Sequence, residues 1–450
     1  MDVQIRQAGQ ARRMIRPVAA PLMAGVILLA LSGCLGGPQV SRSADSPADP
    51  VTGEGGPGHM NARGEVVSPL IDQLRLRQSV LPKGGSFATV GDAVLSQGRA
   101  SAEAELRVKR LAARARSKNW LPKLGPDVNL TSLSSIAASL VMDQAIFDRG
   151  RRAAERDFAA ADVEVAAVSL VADLNKRVYD GLKLYIEAQR AAELAGITEA
   201  ALTQMAEFER ITRIRVEGGL SDGSEYRIVS QRRAEIESTL SSYREGGISA
   251  RTELAALAGS SFDGLEGISV LPPDSGAPEP LSVLITKGEA ARTMAEVAVA
   301  RSGLLPGIGA GASVAKDGDL SGGLSLDGDI LGFGRADSLK ALEESEEVAR
   351  RKVDEARRDS DRRIVALGRE IASLAAREQT DGAVIAQMEA NISLYTDQYK
   401  AGRRSLIELT GQFETLTSMK RDHASLKYQI AVARLEIALM RGVLVDGGSM

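Results

Sequence analysis

One cysteine, Cys34, and two histidines, His59 and His423, are the whole thiol and imidazole stock of a 450-residue chain. Disulfide frameworks need paired thiols and zinc centres need several Cys or His ligands, so neither chemistry fits. The position of the cysteine fits acylation instead. Arg6, Arg12, Arg13 and Arg16 precede an apolar run from Val18 to Leu31, and Ser32 and Gly33 then lead into Cys34. That is the layout of a secretory signal, too short for a transmembrane helix. The run from Gly307 to Gly311 is glycine-rich but lacks the Lys-Ser/Thr ending of a phosphate loop. No nucleophile and base pair emerges, so no catalytic residue, no metal and no cofactor is expected beyond a covalent lipid at Cys34.

Leu31-Ser32-Gly33-Cys34 resembles the lipobox of bacterial lipoproteins, whose signal peptide (here residues 1-33) is removed before an acylated cysteine. Leu35, rather than an aspartate, follows the cysteine, and the resemblance then implies sorting to the outer membrane. Loss of residues 1-33 removes four arginines and Asp2, leaving 52 basic against 58 acidic residues. A net charge of -6 argues against nucleic acid as a partner. Residues 34-86 begin with Gly36-Gly37-Pro38 and Gly53-Glu54-Gly55-Gly56-Pro57-Gly58 and read as a flexible tether, with His59 a solvated linker residue.

The elements that follow are long. Aromatics make up only 3% of the chain, which suits helices burying narrow stripes better than compact domains built on bulky side chains. Leu121-Pro122 recurs as Leu305-Pro306, Gly150-Arg151 as Gly334-Arg335, Gly219 as Gly402 and Gly259 as Gly442, at offsets of 184, 184, 183 and 183 residues. Four landmarks in order indicate a duplicated unit. The expected division is a first repeat over 87-270, a linker over 271-280, a second repeat over 281-445 and a tail over 446-450. Arg151 to Val216 and Ala336 to Ala401 contain no proline and keep helical spacing, as in Ile385, Met388, Ile392, Tyr395 and Tyr399. Each segment would reach about 100 Å, a coiled-coil rod followed by a glycine turn and a descending helix.

Between Leu305 and Phe333, Ile308, Ala310, Ala312 and Val314 alternate with small residues, as do Leu320, Leu324 and Leu326. A weaker alternation in Ile136, Ala138, Leu140 and Met142 predicts a partner strand at Val128 to Thr131. Each unit thus offers one hairpin with an apolar and a small or polar face, the pattern of a membrane barrel wall. Four strands cannot close a barrel, so several chains must share one.

The lipobox, the two Leu-Pro-led hairpins, the closing segments Ala145-Ile146-Phe147-Asp148-Arg149-Gly150-Arg151 and Gly332-Phe333-Gly334-Arg335, and the long helices together resemble the TolC-like outer membrane factor family, particularly its lipidated members. The resemblance covers roughly residues 87-445. It implies a mainly α fold with a small membrane β-barrel: a homotrimer whose chains donate four strands each to a 12-stranded barrel continued by a helical tunnel. It also implies a non-enzymatic duct for efflux or type I secretion, held in outer-membrane lipid and completed by a periplasmic adaptor (membrane fusion protein) and an inner-membrane pump.

The same resemblance places the periplasmic aperture at the two glycine turns. By position, Tyr399 and Arg404 would bond to Ser224 and Glu225, and Glu408 would supply an acidic ring, with Gly411 where a second acid would stand. Gly219, Leu220 and Gly402 become the adaptor-binding positions. Strands of about nine residues would rise only about 23 Å against an apolar band of about 25 Å, so the barrel is expected to be short. Trp120, Phe147 and Phe333 fall at the hairpin bases. The rival class is a periplasmic coiled-coil structural lipoprotein that scaffolds the envelope without a channel.

Overall fold

The computed structural model describes residues 58-61, 64-132, 135-273, 278-304, 307-315, 319-327, 334-401 and 403-449. Cys34, Leu305-Pro306, Phe333 and Gly402 lie outside the described residues. A short hairpin of β1 (His59–Met60) and β2 (Val66–Val67) precedes α1 (Pro69–Arg75). Then come α2 (Ser86–Ser117), β3 (Lys123–Ser132), β4 (Ser135–Phe147), α3 (Arg151–Glu217) and α4 (Gly223–Ala258). The second half has the same order: α5 (Leu281–Gly303), β5 (Gly307–Ala315), β6 (Leu320–Asp327), α6 (Arg335–Lys400) and α7 (Leu406–Met440).

Local chemistry starts and stops these elements. Asp148 opens α3: its carboxylate accepts from the backbone N–H of Gly150 and of Arg152, each at 3.1 Å, while Arg149 and Gly150 take left-handed φ values of 50° and 86°. Asp222 caps α4 through the Ser224 N–H at 3.3 Å, and Ser405 caps α7 through the Glu408 N–H at the same distance. The core is a stripe along α3. Val163, Leu170, Leu174, Val178 and Leu182 bury against Phe87, Val90 and Val94 of α2 and Leu435 of α7. Phe87 meets Tyr185 edge-on at 6.3 Å, and the Tyr185 hydroxyl donates to the Gly267 carbonyl at 2.7 Å.

Residues 58-86 correct the expectation of a flexible tether. β1 and β2 pair antiparallel, so His59 is exposed but belongs to a strand opposite Val67. Ser68 caps α1, with Pro69 at its first position, and its hydroxyl also donates to the buried Glu164 of α3. Leu74 and Ile71 bury against the body, each worth about 1.5–3 kcal/mol. Arg77 donates to the carbonyls of Arg441 and Glu279, the latter at 2.7 Å. The C-terminal end is tied to the same segment: Asp446 accepts from the Ser79 N–H at 2.7 Å, and Gly447 N–H donates to the Arg77 carbonyl at 2.9 Å. The glycine clusters end at Gly58, and the apolar positions after it are enough to dock the chain on α3. No helix among the described residues is long and apolar enough to cross a membrane.

Candidate functional site: an apolar sheet and two glycine turns

The two hairpins join into one antiparallel sheet in the order β3-β4-β5-β6. Register decides what each face carries. Leu140 lies opposite Pro126 and Val314, and Met142 lies opposite Leu124 and Ala312. Val314 in turn faces Leu320, and Ala310 faces Leu324. Because side chains alternate along a strand, all of these share one face. The other face holds Lys123, Asp127, Ser139, Asp143 and, on β5 and β6, serines and glycines such as Ser313 and Ser321, whose hydroxyls meet at 2.7 Å. The apolar face is open to its surroundings, with Leu320 74% and Leu324 76% exposed. A contiguous exposed apolar face of this kind marks a surface that meets lipid or another protein.

The strands contain 10, 13, 9 and 8 residues, so the expectation of about nine holds only for the second hairpin. At a tilt near 40° the 13 residues of β4 would rise about 34 Å and the eight of β6 about 21 Å, an uneven wall. A register shift between Ala145 and Phe147 brings Phe147 opposite Ile308, on the apolar face at the hairpin base. Trp120 and Phe147 are both exposed there, and the Arg149 guanidinium lies 5.8 Å from the Phe147 ring. Among the described residues β3 and β6 are the sheet's two edges.

At the far ends of the long helices the two turns share one backbone hydrogen bond of the same kind among the described residues. Gly219 has φ 70°; its N–H donates to the Val216 carbonyl at 3.0 Å, and the Leu220 N–H reaches the Arg215 carbonyl at 2.7 Å. That pair of bonds is a Schellman closure, and it requires the left-handed residue that glycine supplies. The Arg403 N–H donates to the Gln398 carbonyl at 2.9 Å, the corresponding bond across Gly402. Leu220 is 73% exposed beside its turn.

Within one chain the aperture residues make local contacts. Within this chain Arg404 lies 4.5 Å from the Tyr395 ring centroid, donates to the Gln398 side chain at 3.1 Å and pairs with Glu408 at 3.4 Å. Ser224 donates to Asp222 at 2.7 Å, holding that carboxyl below its usual range, and Glu225 accepts from Ser221. The hydrogen-bond and ion-pair partners here sit within six residues in sequence, so local contacts compete with any bond between the turns. Tyr399 packs under the Arg215 guanidinium at 5.7 Å, and its hydroxyl has no partner among the described residues.

What joins the four helices near the turns was not legible in the sequence. Phe208 of α3 and Phe413 of α7 meet edge-on at 5.7 Å within a cluster that includes Met205, Val229 and Leu409. Arg232 of α4 reaches Glu414 of α7 at 2.5 Å, and Arg233 reaches the buried Glu209 of α3 at 3.1 Å. Burial pushes the Glu414 carboxyl up, against the pull of Arg232. The pairs lie 182 and 24 residues apart, and no periodicity signals them.

No protein-family model and no curated protein matches the sequence. Solved structures do match the fold. The outer membrane protein VceC from Vibrio cholerae is 17% identical over 80% of this chain and 96% of that chain, with a TM-score of 0.67. The Campylobacter jejuni CmeC outer membrane channel is 12% identical over 81% and 88%, with a TM-score of 0.68. The open-state Neisseria gonorrhoeae MtrE outer membrane channel is 15% identical over 90% and 98%, also at 0.68. At this level of identity the likeness is one of fold: the chain is folded like these outer-membrane proteins and channels over most of its length.

Proposed function

We propose that this protein is the outer-membrane duct of a tripartite efflux or type I secretion system. Three copies share a 12-stranded barrel, and their helices continue it as a tunnel toward a periplasmic adaptor and an inner-membrane pump. The observation that carries this reading is the four-stranded sheet with one lipid-compatible face and two open edges, mounted on helices of about 100 Å. A scaffolding rod would have no use for that face. A lipid on Cys34 anchors the chain beside the barrel, and the signal peptide is removed.

In this reading the turns form the closed mouth, where Arg404 ties the end of α6 to the start of α7 through Gln398 and Glu408. Three Glu408 carboxylates around a narrow axis repel anions and attract cations. Gly219, Leu220 and Gly402 meet the adaptor tips. No residue performs catalysis; the protein supplies a path.

Planar-bilayer recording tests the reading. Purified full-length protein should give reproducible conductance steps of one size, and Arg404→Ser should enlarge them by loosening the mouth. A folded protein without conductance would overturn the duct. Cys34→Ala should abolish palmitate labelling in cells, and labelling that persists would remove the anchor.

A further inference from the structure

Next to the sheet, the helices lie in the same order as the strands they serve. α2 packs on α3, α3 on α5 and α5 on α6, so among the described residues α2 and α6 end the layer, as β3 and β6 end the sheet, with the β1-β2 hairpin and α1 flanking Arg110 and Arg114 on one side of α2. These two edges carry opposite charge at the same height. From Arg107 to Lys118, α2 and its cap hold six cations and no acid. From Asp337 to Glu347, α6 holds five acids and one lysine. α2 ends at Ser117 and α6 begins at Arg335, so both stretches lie within about 20 Å of the sheet.

Much of this charge is unanswered within the chain. Lys109 pairs with Asp162, Arg116 with Glu155, Glu346 with Arg301 and Glu347 with Arg351. Among the described residues Arg107, Arg110 and Arg114 have no carboxylate partner, nor do Asp337, Glu343 and Glu344 a cation. Burial, and then the neighbouring charges of Arg75 and Arg114, lower the Arg110 pKa. Arg107, Arg114 and Lys118 recur at helical spacing beside an outward apolar stripe, where Val108 is 63% and Leu111 57% exposed. Opposite in sign, α6 presents Asp337 and Glu344 in line with Val348, which is 49% exposed.

We propose that the basic stripe of α2 seats the acidic first turns of α6 from a second copy of this chain, forming an ion-pair seam that continues the β6-to-β3 pairing below the membrane. The seam rests on the shared-barrel reading above and names the surface that assembles it. Exposed ion pairs are individually weak, so the seam acts chiefly on partner choice, register and rate, with Val108, Leu111 and Val348 providing the apolar centre. It also makes assembly sensitive to ionic strength.

The test uses the full-length protein extracted from membranes. Reversing Arg110→Glu with Arg114→Glu should weaken trimer association at least about tenfold, and adding Glu343→Lys with Glu344→Lys should restore it. Independently, Leu111→Cys should cross-link through a short bis-maleimide to Cys placed at Ala341, Glu344 or Val348, giving bands of two and three chains that neither single variant gives. A wild-type trimer with no such cross-link, and with charge reversal that changes nothing, would overturn the seam and leave the duct standing. Cross-linking of Leu111→Cys to another protein or to a lipid probe in place of α6 would likewise overturn it. A wild-type protein that stays monomeric would overturn the duct reading and the seam together.

Discussion

α3 and α6 occupy corresponding places in the two halves and have nearly the same length, 67 and 66 residues, yet 27 residues of α3 are buried against three of α6. Both start beside the sheet and end at a glycine turn. The difference lies in their neighbours. α3 runs between α2, α4, α5 and α7, whereas α6 packs along its length chiefly on α5 and α7 and meets α3 only near the turn, where Arg215 covers Tyr399. Val348, Val365 and Leu394 of α6 are consequently exposed. In the trimer proposed above, a second copy would cover α6, and α3 shows what the corresponding element looks like when it is covered.

The comparison can be broken by substitution. Leu182→Ala, in the fully covered part of α3, should cost about 2–5 kcal/mol in denaturant unfolding. Val365→Ala on α6 should stay within about 0.5 kcal/mol in the isolated chain, and equal losses at both sites would erase the distinction between a core and an edge helix. Arg77→Met strands the Glu279 and Arg441 carbonyls and should cost about 1–3 kcal/mol, with faster proteolysis between residues 58 and 86. Protease resistance equal to wild type would mean that the segment is held by its apolar contacts alone. Gly219→Ala should cost about 1–2 kcal/mol because its φ of 70° is left-handed, whereas Gly218→Ala, at φ −82°, should cost little.

The smallest effect concerns pH. Glu164 is buried beneath Ser68, and burial raises its pKa above the ordinary 4.5. The folded chain therefore holds this proton to higher pH than the unfolded chain does. The stability it contributes is fully present below about 4.5 and declines as pH rises through the raised value. Glu164→Gln should flatten that decline; an unchanged pH slope would show that another group sets it.

Long helices, hairpins and glycine turns were legible because each has a local signature. Proline-free 3.6-residue spacing marks α3 and α6, period-two alternation marks β5 and β6, and the recurring Gly219 and Gly402 mark the reversals. Three things had no such signature. The Ser68-Pro69 cap and the apolar residues from Val66 to Leu74 were outweighed by the glycines just before them, so a docked segment read as a tether. The aperture bonds were carried over from a family pattern, and within the chain Asp222 and Ser221 engage Ser224 and Glu225 while Gln398 and Glu408 engage Arg404. Ion pairs such as Arg232 with Glu414 join residues far apart in the chain, and only the fold brings them together.

The central claim is that three copies close one barrel. An electron cryomicroscopy reconstruction of the full-length protein extracted from membranes tests it most directly. A threefold assembly is expected, in which β6 of each chain pairs with β3 of the next and the apolar faces point outward. A monomer, or an assembly in which the four-stranded sheets remain separate, would contradict it.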